Sequence, residues 1–332
     1  MVTRIITALR GRGTKRGILN LRVVPFVFLT AIALKYVLLA DTSSGESVGT
    51  DEIKKSSSLS KDFLSPPIDL GRKDGTRVIL NIGSNLDPIV PRPNDNPCTI
   101  ALTFEPIVGH RIPQHPALHV IPAAVTGSSG WSTMNIYNRD GRSSSLSKAS
   151  YKDGWNNHSQ LKVVPTIGLR LILESLRNFE IDFILTDMQG HDFAAVSSVG
   201  DFLAKAGVKR LVTEVYRDQV FTYQGVQNDL CQDWLPHMTN IGYVFEGLTE
   251  MSGDTEGLID GYRNAEEIVG SCKIAASKTD KTPKAGLSEY NAFWRLQSEP
   301  AIGEGIDAYQ YGTHSERQPG HSFTEADYKK CI

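Results

Sequence analysis

The segment RVILNIGSNLDPIVPRPNDNP, residues 77–97, opens like a nucleotide-binding turn and then departs from one. Val78, Ile79 and Leu80 form the short apolar run expected of a buried strand. Gly83, Ser84 and Asn85 follow as a tight turn whose backbone can pass close to a ligand, since glycine admits dihedrals closed to other residues. A helix would ordinarily come next. The chain instead carries Pro88, Pro91, Pro93 and Pro97, and a helix-interior proline loses a hydrogen bond and clashes with the preceding turn. The stretch is a strand and a glycine turn without their usual helix.

Outward from this point, apolar β-rich runs alternate with helical ones. Strands are expected at Val78–Ile82, Thr99–Phe104, Leu118–Ile121, Ile181–Thr186, Arg210–Val215, Gly242–Glu246 and Ala292–Leu296. Helices are expected at Ile167–Arg177, where Leu169, Ile172, Leu173 and Leu176 share a face, and at Asp192–Ala206 and Asn228–Thr239. Short buried strands separated by helices predict an α/β fold with a largely parallel sheet covered on both sides. Ligands in such sheets bind at the carboxyl ends of the strands, where the strand order reverses.

Polar and small residues do follow the strands. Asn81, Gly83, Ser84 and Asn85 come after the first, and Glu105 after the second, where a carboxylate can accept both hydroxyls of a ribose. Ala123 and Ala124, after the third, leave room for a flat ring. Asp187, Met188, Gln189, Gly190, His191 and Asp192 come after the fourth, and Glu214 ends the fifth. Each has a plain structural alternative. Gly83 serves as a turn residue, Glu105 and Asp187 as strand stops, and Asp192 as a charge at a helix N-terminus. Their recurrence at successive strand ends favours a site.

The ordered tracts NIGSNL, ALTFEP, VIPAAVTG, SSSL, IDFILTDMQGHD and VTEV resemble the FkbM-type methyltransferase family. The resemblance covers about Val78 to Val215 and continues weakly through LPHMTNIGYVFEG and YNAFWRL. Its most specific piece is DMQGHD, similar to a family pattern Asp-x-(Glu/Gln)-Gly-x-Glu with Asp192 for the final Glu. It implies a Rossmann-like class I methyltransferase sheet and S-adenosyl-L-methionine as cofactor, with transfer of the methyl group to a hydroxyl of a glycan or other small acceptor. Asn81, Gly83, Ser84, Asn85, Glu105 and Ala124 would then bind the cofactor. Asp187 would face the reacting groups and His191 would act as base. Ser144, Ser145 and Asp192 would contact the acceptor. Asn81 stands where the family usually has Asp, so it would meet the cofactor's ammonium as a neutral acceptor. Asp87 stands where a second glycine is usual.

The rest of the chain frames this unit. Its 332 residues, 40% hydrophobic and 22% charged, fit one good-sized domain with appendages, and a net charge of −2 argues against a nucleic-acid partner. Residues 1–22 hold Arg4, Arg10, Arg12, Lys15, Arg16 and Arg22 and no acid. Val23–Ala40 is apolar apart from Thr30, Lys35 and Tyr36, close to the roughly 20 residues that cross a bilayer. Basic residues before it and Asp41, Glu46, Asp51 and Glu52 after it predict a single-pass type II anchor with a cytoplasmic tail and a body in the Golgi or another secretory compartment. A cleaved signal peptide and an organelle transit peptide compete, although Leu38-Leu39-Ala40 is a poor cleavage site. Residues 41–76 read as a flexible stem, 77–300 as the folded domain and 301–332 as a polar tail. Asn157-His158-Ser159 is a glycosylation sequon if the body is lumenal.

Cys98, Cys231, Cys272 and Cys331 are scattered, without metal-ligand spacing. They leave one or two disulfides open, and no metal is assigned. Two other functions remain open beside methyl transfer. A membrane anchor and stem also suit a Golgi glycosyltransferase, though no Asp-x-Asp tract occurs. A tethered, non-catalytic binding domain would equally keep the fold.

Overall fold

A computed structural model of the chain describes residues 76–300, apart from 92–97, 108, 113–114, 116, 139–140, 151–159, 218–219, 251–262, 278–283 and 286–288. The expected cytoplasmic tail, membrane anchor, nearly all of the stem, the sequon and the C-terminal tail lie outside the described residues. No helix among the described residues is long and apolar enough to cross a membrane.

The chain begins with β1 (Arg77–Ile82), β2 (Ile100–Phe104) and β3 (Leu118–Ile121), then β4 (Ala124–Thr126), β5 (Gly130–Ile136) and β6 (Gln160–Gly168). Next come α1 (Leu169–Ser175), β7 (Glu180–Thr186), α2 (Asp192–Val199), α3 (Phe202–Lys205), β8 (Arg210–Tyr216) and β9 (Val220–Phe221). A π-helical turn, Leu230–Trp234, leads into α4 (Leu235–Asn240), followed by β10 (Tyr243–Glu250) and β11 (Arg263–Asn264). Last are α5 (Ala265–Ser277), β12 (Lys284–Ala285) and β13 (Glu289–Leu296).

The main sheet has the order β3-β2-β1-β7-β8-β13-β10-β11. From β3 to β8 every pairing is parallel, whereas β13 runs antiparallel to both β8 and β10. The chain grows outward from β1 to β3, then returns to lay β7 on the other side of β1. Strand order therefore reverses between β1 and β7, and a Rossmann-like sheet places its ligand there.

Period-two alternation divides the strands between two cores. Val78, Leu80 and Ile82 of β1 join Ile100, Leu102 and Phe104 of β2 on one face, where Ile172, Leu173, Ala195, Val196, Trp234 and Met238 pack against them from the helical segments. Ile79, Ala101, Phe183, Val212 and Phe293 point to the other face, where Ile89 and Ile112 cover them. The expected cover of helices on both faces is thus one-sided among the described residues. Right-handed crossovers put the β1–β2 and β2–β3 connections on the second face, and those connections contain the prolines. Ile89, 1% exposed, takes the place of a helix residue by folding the loop back over β1.

Other expectations shift locally. Ile167 and Gly168 belong to β6, so the helix predicted from Ile167 starts at Leu169. The helix expected over Asp192–Ala206 divides into α2 and α3 at Gly200. That expected from Asn228 begins at Leu230, because Asp229 caps it by accepting from the N–H groups of Cys231 and Gln232, both at 2.9 Å. Cys231 is joined to Cys272 of α5 by a disulfide, and Cys98 is also disulfide-bonded. A small sheet of order β4-β6-β5, unforeseen from the sequence, extends over the ends of the main strands.

Candidate functional site

The carboxyl ends of β1, β2 and β7 open into a cleft of about 560 Å³. The small sheet contributes Ala124, Val125 and Met134 to its wall, and the loop after β5 contributes Arg142, Ser144 and Leu146. The volume falls within the roughly 300–1,000 Å³ of small-molecule sites.

Two strand ends meet at Gly83. Its φ is +81°, and a Cβ there would lie 1.8 Å from the Asp187 carbonyl oxygen, so only glycine permits this approach. The Gly83 N–H donates to Phe104 O and the Asp187 N–H to Ile82 O, both at 2.9 Å. Asn81 is buried, and its Oδ1 accepts from the Ile89 N–H at 2.8 Å. The neutral acceptor expected to face a cofactor's ammonium is thus engaged in pinning the proline-bearing loop. Ser84 and Asn85 line the cleft, and the Oδ1 of Asn85 is buried with no hydrogen-bond partner.

Glu105 holds two loops together. Its Oε2 accepts from the Asn85 N–H at 2.9 Å, and its Oε1 accepts from the Ile107 N–H at 2.8 Å. A carboxylate oxygen can accept more than one hydrogen bond, and the residue lines the cleft beside Ala124.

The loop after β7 supplies the opposite wall. Asp187 is half-buried and accepts from Gln189 Nε2 at 2.5 Å. Burial pushes its pKa up, and the hydrogen bonds from Gln189 and with Glu214 oppose that. Gln189 adopts a left-handed φ of +52°, and its Oε1 accepts from the Tyr223 hydroxyl at 2.7 Å. His191 lines the cleft, its Nε2 is 3.0 Å from Ser147 Oγ, and burial lowers its pKa. The imidazole is therefore neutral at pH 7.

Three expected acceptor contacts have other partners. Asp192 is fully buried outside the cleft lining, and accepts from the Met188 N–H at 3.1 and 3.3 Å. It closes the 187–192 turn instead of meeting an acceptor. Burial, then the charge of Asp187, raises its pKa to about 7. Ser145 is likewise fully buried, donates to Gln189 O at 2.7 Å and accepts from the Ser147 N–H at 3.0 Å. It fastens the loop after β5 to the loop after β7. Ser144 lines the cleft, but its hydroxyl accepts from the Tyr137 N–H at 3.1 Å. Local turn geometry occupies that oxygen.

A second group of acids is legible in the sequence only in part: Glu214 ends the fifth expected strand, but its partner Glu289 carries no such signal. Glu289, at the start of β13, lines the cleft, and burial followed by the charge of Asp187 raises its pKa to about 7. The strand expected from the sequence begins only at Ala292, so nothing marks Glu289 as a strand-end residue. Glu214 is fully buried behind it, its pKa raised well above the usual range by burial and then by Glu289, Asp192 and Asp187. Ser147 also carries no sequence signal, because only folding brings it to His191. Among the described residues, no group of three or more His, Cys, Asp or Glu side chains could hold a metal ion. No family model, curated protein or solved structure matches this chain.

Proposed function

We propose that the chain is an FkbM-type S-adenosyl-L-methionine-dependent methyltransferase with a class I methyltransferase sheet, acting on a hydroxyl of a glycan or other small acceptor. The observation that carries this reading is the place of the cleft. It lies at the reversal of strand order between β1 and β7, with the Glu105 carboxylate at the end of the neighbouring β2.

The residues present fit that donor. Glu105 places a carboxylate in the cleft where ribose hydroxyls would donate, and Ala124, Val125 and Ile107 offer an apolar slot for a flat ring. Gly83, Ser84 and Asn85 would hold the methionine part. With Asn81 engaged by Ile89, the buried and unpaired Oδ1 of Asn85 is the acceptor left for an ammonium. S-adenosyl-L-methionine would supply an electrophilic methyl on a positive sulfonium: the oxygen bonds to the methyl carbon as the carbon–sulfur bond breaks, and a neutral thioether leaves.

The chain's own residues then orient the acceptor and remove its proton. In the tautomer whose Nε2–H donates to Ser147 Oγ, 3.0 Å away, Nδ1 would carry the lone pair that takes the hydroxyl proton. Positioning of this kind can supply much of the rate. Asp187, fixed by Gln189 and by its backbone contact with Gly83, faces the same space.

Calorimetric titration of the full chain in detergent tests the reading. Saturable binding of S-adenosyl-L-methionine and S-adenosylhomocysteine is expected. Absence of both up to millimolar concentration overturns it, and a preference for nucleotide sugars would favour a glycosyltransferase. The engagement of Asn81 favours a second reading, a tethered domain that binds without turnover, which labelled methyl transfer to glycans would exclude.

The proposal extends to topology: a type II anchor with the domain in the secretory lumen. The Cys231–Cys272 disulfide supports an oxidising compartment. In intact microsomes, added protease should digest an N-terminal tag and spare the domain. The opposite pattern would reverse the orientation.

A further inference from the structure

We propose that Ser147 is a positioning residue for the base: its hydroxyl oxygen accepts from Nε2–H of His191, leaves Nδ1 for the cleft, and supports the imidazolium that forms during transfer. The reacting hydroxyl is that of the methyl-transfer reading, on which this role rests.

The ring is held from two sides. Its backbone sits at the start of α2, where the His191 N–H donates to Met188 O at 3.4 Å and the His191 carbonyl accepts from the Ala195 N–H at 3.1 Å. At the far end of the side chain, Nε2 lies 3.0 Å from Ser147 Oγ. His191 lines the cleft and Ser147 does not, so this contact is made on the protein side of the ring.

The loop that carries Ser147 is fixed in turn. Ser145 exchanges backbone hydrogen bonds with Asn135 at 2.8 and 3.1 Å. Its hydroxyl donates to Gln189 O at 2.7 Å and accepts from the Ser147 N–H at 3.0 Å. The contacts from 145 to 189 and from 147 to 191 span the same 44 residues and lie two residues apart. Ser145 thereby sets the register in which Ser147 meets the imidazole.

A neutral imidazole has one N–H and one lone pair, and the partner of one nitrogen decides what the other can do. With the proton on Nδ1, the lone pair would be spent on Ser147, and the cleft would meet a donor that cannot take a proton. With Nε2–H turned to Ser147, the lone pair is on Nδ1, which has no partner among the described residues. Taking the acceptor's proton then makes the ring a cation where burial disfavours one. Ser147 accepts from Nε2–H in both states, and the bond to the cation is roughly twice as strong as its neutral counterpart. That gain appears only as the proton transfers, so it lowers the barrier without tightening binding. After the product departs, Nδ1 returns its proton to water and Nε2 keeps its own. The charged groups of the shared lining are Asp87, Glu105, Arg142, Asp187 and Glu289. Asp192 adjoins the ring in sequence, Lys148 adjoins Ser147, and Tyr223 bonds to Gln189. The lowered pKa of His191 nevertheless traces to burial alone.

The test uses the full chain in detergent, isotope-labelled at the histidine nitrogens, with the His191 ring resonances assigned by their loss in His191→Ala. At a pH where the ring is neutral, the parent should show Nε2 protonated and Nδ1 bare. Ser147→Ala should populate both tautomers and lower the ring's pKa further. In assays of labelled methyl transfer, Ser147→Ala should lower kcat roughly tenfold, the margin of a charge-assisted over a neutral hydrogen bond. KM should stay near the parent's, and the acid limb of the pH–rate profile should move to lower pH. Ser147→Thr, which keeps the hydroxyl, should restore all of these. An Nδ1–H tautomer in the parent overturns the proposal, as does a Ser147→Ala variant with the parent's ring populations, pKa and kcat. A Ser147→Thr variant as impaired as Ser147→Ala also overturns it, because loop packing and not the hydroxyl would then be responsible. Tautomer and pKa are read without methyl donor, so a chain that fails to bind S-adenosyl-L-methionine is a distinct result.

Discussion

The backbone of Gly83 lies so close to Asp187 that a Cβ on the glycine would come within 1.8 Å of the Asp187 carbonyl oxygen. The first glycine turn and the catalytic candidate are thereby one construction. Gly83→Ala must strain a positive φ and also push two strand ends apart. A loss of about 2–4 kcal/mol in stability is expected, the scale of severe backbone substitutions. Urea unfolding measures it, and an alanine variant with the parent midpoint would contradict the contact.

Glu105→Ala removes the acceptor for two backbone N–H groups and the carboxylate at the ribose position. S-adenosyl-L-methionine affinity should fall roughly ten- to a hundredfold, and stability by about 1–3 kcal/mol. Calorimetry and denaturation on the same sample separate the two effects. Lost stability with unchanged affinity would make Glu105 a loop fastener only.

His191→Ala should lower the methyl-transfer rate by about 10²–10⁴-fold, the usual range for one positioned base. The parent's rate should decline on the acid side of a pKa below 6.5, because burial lowers that of His191 and only the neutral ring accepts a proton. Asp187→Asn should remove most turnover while donor binding persists. A pH–rate profile of each variant, read by labelled methyl transfer, decides both roles, and a fully active Asp187→Asn would move the active centre elsewhere.

The acid cluster ties stability to pH. Glu289 has a pKa of about 7 in the folded chain against 4.5 when unfolded, so the native state keeps a proton that the unfolded state releases. Stability should therefore fall as pH rises from about 4.5 to about 7, by an amount on the order of 1–3 kcal/mol for this group. Glu289→Gln should flatten that slope and raise the melting temperature at pH 8. A slope unchanged by the substitution would place the proton on another member of the cluster.

Reduction of Cys231–Cys272 should also destabilise the domain. The bridge closes a 41-residue separation between the π-helical turn and α5, worth about 4 kcal/mol by loop entropy. The Cys231→Ser, Cys272→Ser double variant should show this as a lower urea midpoint. An unchanged midpoint would mean that packing alone holds α5 to β10.

The sequence by itself determined the central strands and the reversal-point cleft's general location. Runs such as Val78–Ile82 and Ile181–Thr186 are apolar enough to be buried on both faces, and a parallel sheet exposes its loops at one edge. Asn81, Gly83, Glu105 and Asp187 were visible because they directly follow those runs. The prolines after β1 likewise announced a missing helix, since their backbone chemistry is local. Partner choice was decided only by tertiary structure. Ser145 reaches Gln189 and Ser147 reaches His191 across 44 residues, and Tyr223 reaches Gln189 across 34. Asn81 and Asp192 turned inward because Ile89 and Met188 present N–H groups in the folded turns. Glu289 entered the cleft because β13 runs antiparallel to β8, which brings the beginning of the last strand to the ends of the others. Hydrogen-bond partners and local dielectric depend on which segments meet in space, and residue order along the chain does not encode that meeting in any short motif.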